Sequence, residues 1–203
     1  MKMNRMLGIK GTGPATCERT RFAVVFVPWG FRWMCTRPHA RRLYDIDPKI
    51  FDGFWDSYLA TNKGLVSSRT SEELTWILGD RLKMGEIALL GEFKEQSLLG
   101  YIVLKVNSNG RRLLIIDWIA LNNDKQVLDS LLVSAVRFAR RETNAILLES
   151  IGFPSSSEDI LRRRLSWVRK ARNNTFIWKF LDGRTEIPAE SWFFGPYDGD
   201  RCM

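Results

Sequence analysis

The hydrophobic pattern of residues 41–83 predicts a short strand followed by two helices. The strand Arg41–Ile46 ends at Asp47-Pro48, a pair that favours a turn and opens a helix. Apolar residues then recur at three- and four-residue spacing, which predicts an amphipathic helix; they are Ile50, Phe51, Phe54, Trp55, Tyr58 and Leu59. A second, shorter helix begins after the cap residue Thr70 and is predicted to end at Gly79.

Three strands rich in aliphatic residues are predicted next. They cover Glu86–Phe93, Leu98–Val106 and Leu113–Leu121, and short polar turns connect them. Because Asn109-Gly110 favours a tight hairpin, we expect these strands to form an antiparallel meander. The third strand is the most apolar, so it should be central in the sheet and covered on both faces.

A strand–helix–strand unit follows the meander. Its helix carries an apolar stripe over Val127–Ala139, and its second strand is Ala145–Ser150. Two strands connected in this way run parallel. A further helix from Glu158 to about Val168 and a last strand, Thr175–Phe180, are also predicted. The predicted fold class is α/β (α+β), with a mixed central sheet in which an antiparallel meander precedes a βαβ crossover.

The excess of basic over acidic residues lies at one end of the chain. Nine basic residues and one acidic residue precede residue 43, so this segment accounts for the whole net charge of +8 and the remainder is neutral. We interpret residues 1–40 as a basic N-terminal arm and residues 41–203 as the folded domain. The apolar run Phe22–Val27 within the arm has two interpretations: an extra strand packed on the domain, or part of a peripheral membrane contact through residues 19–35.

Composition excludes several classes of site. Three scattered cysteines and one histidine provide neither a disulfide framework nor a set of metal ligands, so no metal is expected. The cysteine usage favours a reducing compartment, and we expect a cytoplasmic protein, peripheral to the inner face of the membrane if the arm binds there. A second basic cluster, Arg162–Arg172, is interpreted as a solvated helix face or as a site for an anionic group. The neutral domain has no recognised nucleic-acid motif, which argues against nucleic acid as a partner.

The order of the elements resembles that of the GNAT family of acyltransferases over about residues 40–200. The residues that carry the likeness are Ser68-Arg69, Glu73–Trp76, Leu99–Val103, Ile115–Trp118, Ser191-Trp192 and Asp198–Asp200. The local likeness is nearest to GNAT-like proteins of bacterial polysaccharide or cell-wall modification. The resemblance implies transfer of an acetyl or similar acyl group from acyl-CoA, with acetyl-CoA as co-substrate. The implied acceptor is the amine of a small molecule or a sugar.

The resemblance also implies a V-shaped opening between Leu113–Leu121 and the strand after the long helix. Strands that splay leave backbone N–H and C=O groups with which an extended pantetheine arm can pair. One such N–H would polarise the thioester carbonyl. We therefore expect the cofactor beside Ile119, Ala120 and Leu121.

The family's glycine-rich diphosphate loop corresponds here to Asn122–Asp129, which contains no glycine. The remaining candidates for binding the phosphates are Lys125, Gln126 and Val127 at the start of the helix. Asp124 and Asp129 would oppose a diphosphate because of their charge. An alternative function is therefore a catalytically degenerate GNAT-like binding module, tethered to a membrane or to a partner protein.

Two acidic residues on apolar strands are candidates for the catalytic base. Strand alternation assigns Asp117 to the same face as Leu113, Ile115, Ile119 and Leu121. Asp117 has two interpretations: a general base for the attacking amine, or a carboxylate that pairs with an arginine or caps a bulge. Glu149, on the neighbouring strand, is the second candidate. The helix in which the family places a tyrosine acid has none, and neither Tyr101 nor Tyr197 is assigned that role.

Overall fold

A computed structural model of the chain describes residues 39–62, 65–106 and 110–151, positions 160 and 164, and the backbone of 21–26, 167–170 and 192–193. In chain order the elements are β1 (Arg21–Phe26), β2 (Arg41–Leu43), α1 (Pro48–Thr61), β3 (Leu65–Val66), α2 (Ser71–Lys83), β4 (Ile87–Lys94), β5 (Ser97–Val106), β6 (Arg112–Ala120), a 3-10 turn (Leu121–Asn123), α3 (Lys125–Glu142), β7 (Leu147–Ile151), β8 (Trp167–Lys170) and β9 (Trp192–Phe193).

Seven of these strands form one mixed sheet in the order β2-β4-β5-β6-β7-β1-β8. The consecutive strands β4, β5 and β6 are antiparallel neighbours, whereas β6 and β7 are parallel and are connected through α3. The predicted mixed sheet, with a meander followed by a βαβ crossover, is therefore present. The short strands β3 and β9 form a separate parallel pair.

Two hydrophobic cores cover the two faces of the sheet. On one face, the apolar stripe of α3 packs against residues such as Ile102, Leu113 and Ile115. On the other, the buried faces of α1 and α2 pack against residues such as Val103 and Ile119. We call these the α3 face and the α1/α2 face. Each fully buried aliphatic side chain contributes about 1.5–3 kcal/mol relative to an exposed one.

The end of α2 differs from the prediction. The helix does not stop at Gly79 but continues to Lys83. Leu82 extends the buried apolar face by another turn, and its burial offsets the cost of a glycine inside the helix. The terminating glycine is Gly85, which has φ of +73° and donates its N–H to the carbonyl of Leu82 over 3.2 Å.

Segments toward the two ends of the chain contribute the last two strands of the sheet, β1 and β8. β1 lies antiparallel between β7 and β8, and the domain boundary at residue 40 stays a prediction. The predicted helix to Val168 is wrong at its end, because Trp167 and Val168 pair with β1, and this long-range pairing overrides the local helical pattern. The predicted strand Thr175–Phe180 lies outside the described residues. Within the described part of the chain, no helix has the length and apolarity needed to cross a bilayer.

Candidate functional site

Strand β6 pairs with β7 along less than half of its length. The parallel register begins with Arg112 opposite Leu147 and ends with Ile115 opposite Ser150. β6 then continues through Ile116–Ala120, whereas β7 ends at Ile151. We call Ile116–Ala120 the open stretch, since no described strand lies on its β7 side. β7 stays paired with β6 up to Ser150, one residue before its own end, so the unpaired edge of β6 arises because β7 ends there; the implied splaying of the two strands stays a prediction.

A β-bulge marks the start of the open stretch. Leu104 of β5 lies opposite Ile115, and the preceding Val103 lies opposite Asp117, so Ile116 is an extra residue in β6. A bulge bends its strand and increases the local twist. The bend lies where β6 and β7 stop pairing.

The bulge also corrects the predicted face of Asp117. Leu113 and Ile115 belong to the core of the α3 face, whereas Ile119 belongs to the core of the α1/α2 face. The extra residue moves the alternation by one position, so Asp117 shares a face with Ile119 but not with Leu113 or Ile115. Its partners, below, lie on the α1/α2 face.

The Asp117 carboxylate is held by two neighbouring side chains. Arg69 Nε lies 2.9 Å from Oδ2 of Asp117, and Arg69 Nη2 lies 3.2 Å from Oδ1. The Tyr101 hydroxyl donates to the same Oδ2 over 2.8 Å. Arg69 Nη1 donates to the carbonyl of Ser67 over 2.7 Å. Charge-assisted bonds of this bidentate kind are short and strong, and they satisfy both oxygens.

These contacts match the interpretation of Asp117 as a paired carboxylate. The side chains of Arg69 and Asp117 are both 0% exposed, so an amine reaches the carboxylate only if the surrounding side chains move. A role for Asp117 as general base stays a prediction.

Burial raises the pKa of Tyr58, and the nearby Arg69 guanidinium opposes this rise, so the phenol stays protonated.

The partners of Asp117 were not identified from the sequence. Arg69 and Tyr101 both lie in segments that carry the family resemblance, yet no spacing rule connects them to a residue on β6. The pairing depends on the loop before α2 reaching the middle of the sheet, which is a long-range feature. Arg69 lies in a loop and is 0% exposed, which is unusual for an arginine and indicates a buried partner. This burial is known only from the structure, so the sequence gives no signal for the pair.

Glu149 lies in the paired part of β7, opposite Leu114 of β6. Its Oε1 is 3.4 Å from Nη1 of Arg112, and its side chain is 14% exposed against 51% for Arg112. Glu149 is thus partly accessible, unlike Asp117. It lies before the open stretch rather than along it.

The predicted cofactor residues lie at the end of β6 and the start of α3. The side chains of Ile119 and Ala120 are buried, so only their backbone can contact a ligand. The chain then turns through Leu121–Asn123, in which Asn122 and Asn123 have φ of 55° and 51°. This left-handed turn, which asparagine tolerates better than most residues, leads directly into α3.

The first amides of α3 already have an acceptor. The Asp124 side chain caps the helix through its Oδ1, which lies 2.7 Å from the Gln126 nitrogen and 3.3 Å from the Val127 nitrogen. These N–H groups are the ones that an anion at a helix N-terminus uses. The residues therefore fit the extended arm of coenzyme A along β6 but do not fit its diphosphate at α3.

The other acid of this segment is neutralised by a pair. Asp129 accepts two bonds from Arg164, from Nε over 2.8 Å and from Nη2 over 2.6 Å. This bidentate pair places one arginine of the second basic cluster against α3 rather than in solvent. Asp129 consequently opposes an anion less than its formal charge implies.

Three buried side-chain atoms of the described residues have no hydrogen-bond partner: Arg42 Nε, Glu92 Oε2 and Trp118 Nε1. Trp118 belongs to the core of the α3 face. Arg42 and Glu92 interact with residues of α3, namely Glu142 and Ser130. Burial raises the pKa of Glu92, while the Ser130 hydroxyl and His39 act in the opposite direction. Buried polar groups without partners are rare in proteins, so each one calls for an explanation.

Comparison with solved structures finds neighbours at low sequence identity. No protein-family model matches the chain, and no curated protein matches it. A functionally unknown conserved protein from Staphylococcus epidermidis is 12% identical with a TM-score of 0.48, over 71% of this chain and 56% of that protein. A probable acetyltransferase from the same species is 16% identical with a TM-score of 0.41, over 61% of this chain and 79% of the other. At these TM-scores neither likeness carries an argument about function.

Proposed function

We propose that the protein is a GNAT-type acyltransferase that moves an acetyl or similar acyl group from a thioester of the coenzyme A class to an amine. The observation that carries the proposal is the open stretch Ile116–Ala120, a strand edge in the middle of a sheet that begins at a bulge. Such an edge can pair with an extended, amide-bearing arm in the manner of an added strand.

The proposed reaction is direct attack without a covalent enzyme intermediate. The amine nitrogen forms a bond to the thioester carbonyl carbon, the carbon–sulfur bond breaks, and the thiolate leaves with the electron pair. Backbone N–H groups near Ile119, Ala120 and Leu121 would stabilise the charge that develops on the carbonyl oxygen. A thiolate leaves without a general acid near neutral pH, since thiol pKa values are about 8.5 by analogy with cysteine.

The proton of the amine needs an acceptor. Of the two predicted catalytic residues we favour Glu149, because its carboxylate is partly exposed and its described ion pair, with Arg112, spans 3.4 Å. Asp117 would instead hold Arg69 and the bulge in position. Lys125, Gln126 and Val127 would bind phosphate only if the Asp124 carboxylate moved away.

The acceptor and location belong to the same proposal. The acceptor class is a small-molecule or sugar amine, and the site of action is the cytoplasm, with residues of the basic segment 19–35 outside β1 contacting the inner face of the membrane, since β1 itself lies within the sheet. The charge distribution supports this location, since residues 1–42 carry the whole net charge of +8.

A binding module without catalytic activity is the second candidate. Two observations favour this candidate. Asp117 forms a completely buried ion pair with Arg69, and the Asp124 carboxylate already accepts from a backbone amide at the start of α3. Such a module would bind the acyl donor or a related molecule along β6 but would not transfer the acyl group.

One experiment separates the two candidates. We would measure binding of acetyl-CoA and of S-acetyl-pantetheine by calorimetry, and thiol release with a panel of small amines and amino sugars. Binding with release supports the transferase, binding without release supports the module, and no binding of either compound at millimolar concentration contradicts both.

The variant Glu149→Gln tests the base within the same assay. We expect turnover to fall at least about tenfold with little change in donor binding, because a general base contributes about 10²–10⁴-fold. Glu142→Gln is the matched control, since Glu142 also pairs with an arginine but at the far end of α3. Equal turnover in both variants would exclude Glu149 as the base.

A further inference from the structure

Trp118 is an unpartnered donor in the middle of the open stretch. An indole has one N–H to donate and no acceptor, so its hydrogen bonding depends on one partner. Trp118 is 3% exposed, and its Nε1 has no partner. Leaving a buried donor unsatisfied costs free energy that a ligand acceptor would recover on binding.

A ligand along the open stretch would pass beside Trp118. An added strand would run about 4.7–4.9 Å from β6, and its groups would be cross-strand neighbours of Trp118. The natural acceptor from such a ligand is an amide carbonyl. A carboxylate or phosphate would bind less favourably here, because burying its charge against the apolar core of the α3 face costs desolvation free energy.

The path of the same ligand leads to a carboxylate. Beyond Ala120, the turn Leu121–Asn123 leads to Asp124. The Asp124 carboxylate accepts hydrogen bonds from the first backbone amides of α3, those of Gln126 and Val127. Asp124 is an exposed residue and no arginine or lysine pairs with it among the contacts described. A dianionic group at this point would meet a negative charge in the place where a helix N-terminus ordinarily attracts anions.

We propose that the open stretch binds the uncharged, amide-bearing arm of a thioester donor, with the Trp118 indole donating to a carbonyl of the arm and the Asp124 carboxylate keeping a diphosphate away from α3. The donor class is therefore a pantetheine thioester whose phosphate lies elsewhere, as on a carrier protein, rather than free acyl-CoA. This inference rests on the proposed function and specifies its donor.

The test compares S-acetyl-pantetheine with acetyl-CoA by calorimetry on the full chain. For the unaltered protein we expect S-acetyl-pantetheine to bind at least as tightly as acetyl-CoA. Trp118→Phe should weaken both ligands about five- to tenfold, because it removes the donor and keeps an aromatic ring. Asp124→Ala should strengthen acetyl-CoA about fivefold or more and leave S-acetyl-pantetheine within about twofold.

Two matched variants control for general effects. Trp55→Phe removes a buried indole from the α1/α2 face, and Asp47→Ala removes the cap of α1, which accepts from the Lys49 nitrogen over 2.9 Å. Neither should change the affinity for either ligand. If Trp118→Phe does not fold, the indole ¹H–¹⁵N signal of Trp118, assigned through its backbone, replaces it: S-acetyl-pantetheine should shift this signal downfield.

The outcomes separate this inference from the proposed function. No binding of either ligand to the unaltered protein overturns both. Binding that is unchanged in Trp118→Phe, or an indole signal that does not move at saturation, overturns the role of Trp118 alone. Acetyl-CoA that binds the unaltered protein more than tenfold tighter than S-acetyl-pantetheine overturns the exclusion of the diphosphate and leaves the transferase proposal standing.

Discussion

The two faces of the sheet differ in whether their buried polar groups have hydrogen-bond partners. On the α1/α2 face, Arg69 and Tyr101 donate to Asp117 so that each of its carboxylate oxygens has a donor. On the α3 face, Glu92 and Trp118 each bury an atom that has no partner. A saturated buried network specifies structure, whereas an unsaturated one marks a place where a ligand or a proton changes the energy. The α1/α2 set is therefore expected to stabilise the fold, and the proposed ligand binding would use the unpartnered Trp118 of the α3 face.

The largest expected effect comes from breaking the saturated set. Asp117→Asn should lower the free energy of unfolding by about 3–5 kcal/mol, because it removes the carboxylate charge with which the buried Arg69 guanidinium forms a bidentate pair. Chemical denaturation measures the change. The control Glu142→Gln breaks the exposed pair with Arg42, whose side chains are 30% and 48% exposed, and should cost about 0–1 kcal/mol.

An opposite result for Asp117→Asn would reassign the residue. If the stability changes by less than about 1 kcal/mol while turnover falls at least about tenfold, Asp117 acts as a general base and the two faces do not divide stability from function.

A methyl group at Gly100 should disturb the end of the open stretch. A Cβ there would lie 2.7 Å from the carbonyl oxygen of Ile119 and 3.0 Å from Ala120, so the strands must move apart. We expect Gly100→Ala to cost about 1–3 kcal/mol and to weaken donor binding. In the control Gly53→Ala the new Cβ meets nothing within 4 Å, and the helix α1 should gain about 0.5–1 kcal/mol. Thermal unfolding of the pair measures both; equal effects would show that the β5–β6 contact is not tight.

The smallest effect concerns the buried acid of the α3 face. Because the pKa of Glu92 is raised in the folded protein, its stability contribution is full below the ordinary carboxyl value and is lost as pH rises through the folded value. Glu92→Gln stays neutral, so it should unfold at a higher temperature than the unaltered protein at about pH 8 and at a similar one at about pH 4. The exposed Glu86→Gln should show no such difference, and a gain for Glu92→Gln that is independent of pH would contradict the assignment.

Local chemistry predicts much of this fold. The caps Asp47 and Thr70 begin their helices where the sequence indicates, and the alternating runs of the meander form adjacent strands. The sequence indicates Asp124 as a charge that opposes a diphosphate, but its role as the cap that accepts from the first amides of α3 was not predicted.

Features that depend on distant neighbours were not predictable. The bulge at Ile116 moves Asp117 to the other face, and no residue type around it signals the extra position. The helix α2 passes through Gly79 because the burial of Leu82 outweighs a weak local preference. The pairing of Asp117 with Arg69 joins residues 48 positions apart, a separation that a single sequence does not reveal.

The most direct test of the account is amide-resolved hydrogen exchange along β6. The account predicts that some amides of Ile116–Ala120 exchange faster than the interstrand amides of Arg112–Ile115, and that S-acetyl-pantetheine slows them. Uniformly slow exchange along the whole of β6 in the free protein, or no slowing at saturating ligand, would contradict the claim that this edge is a binding site.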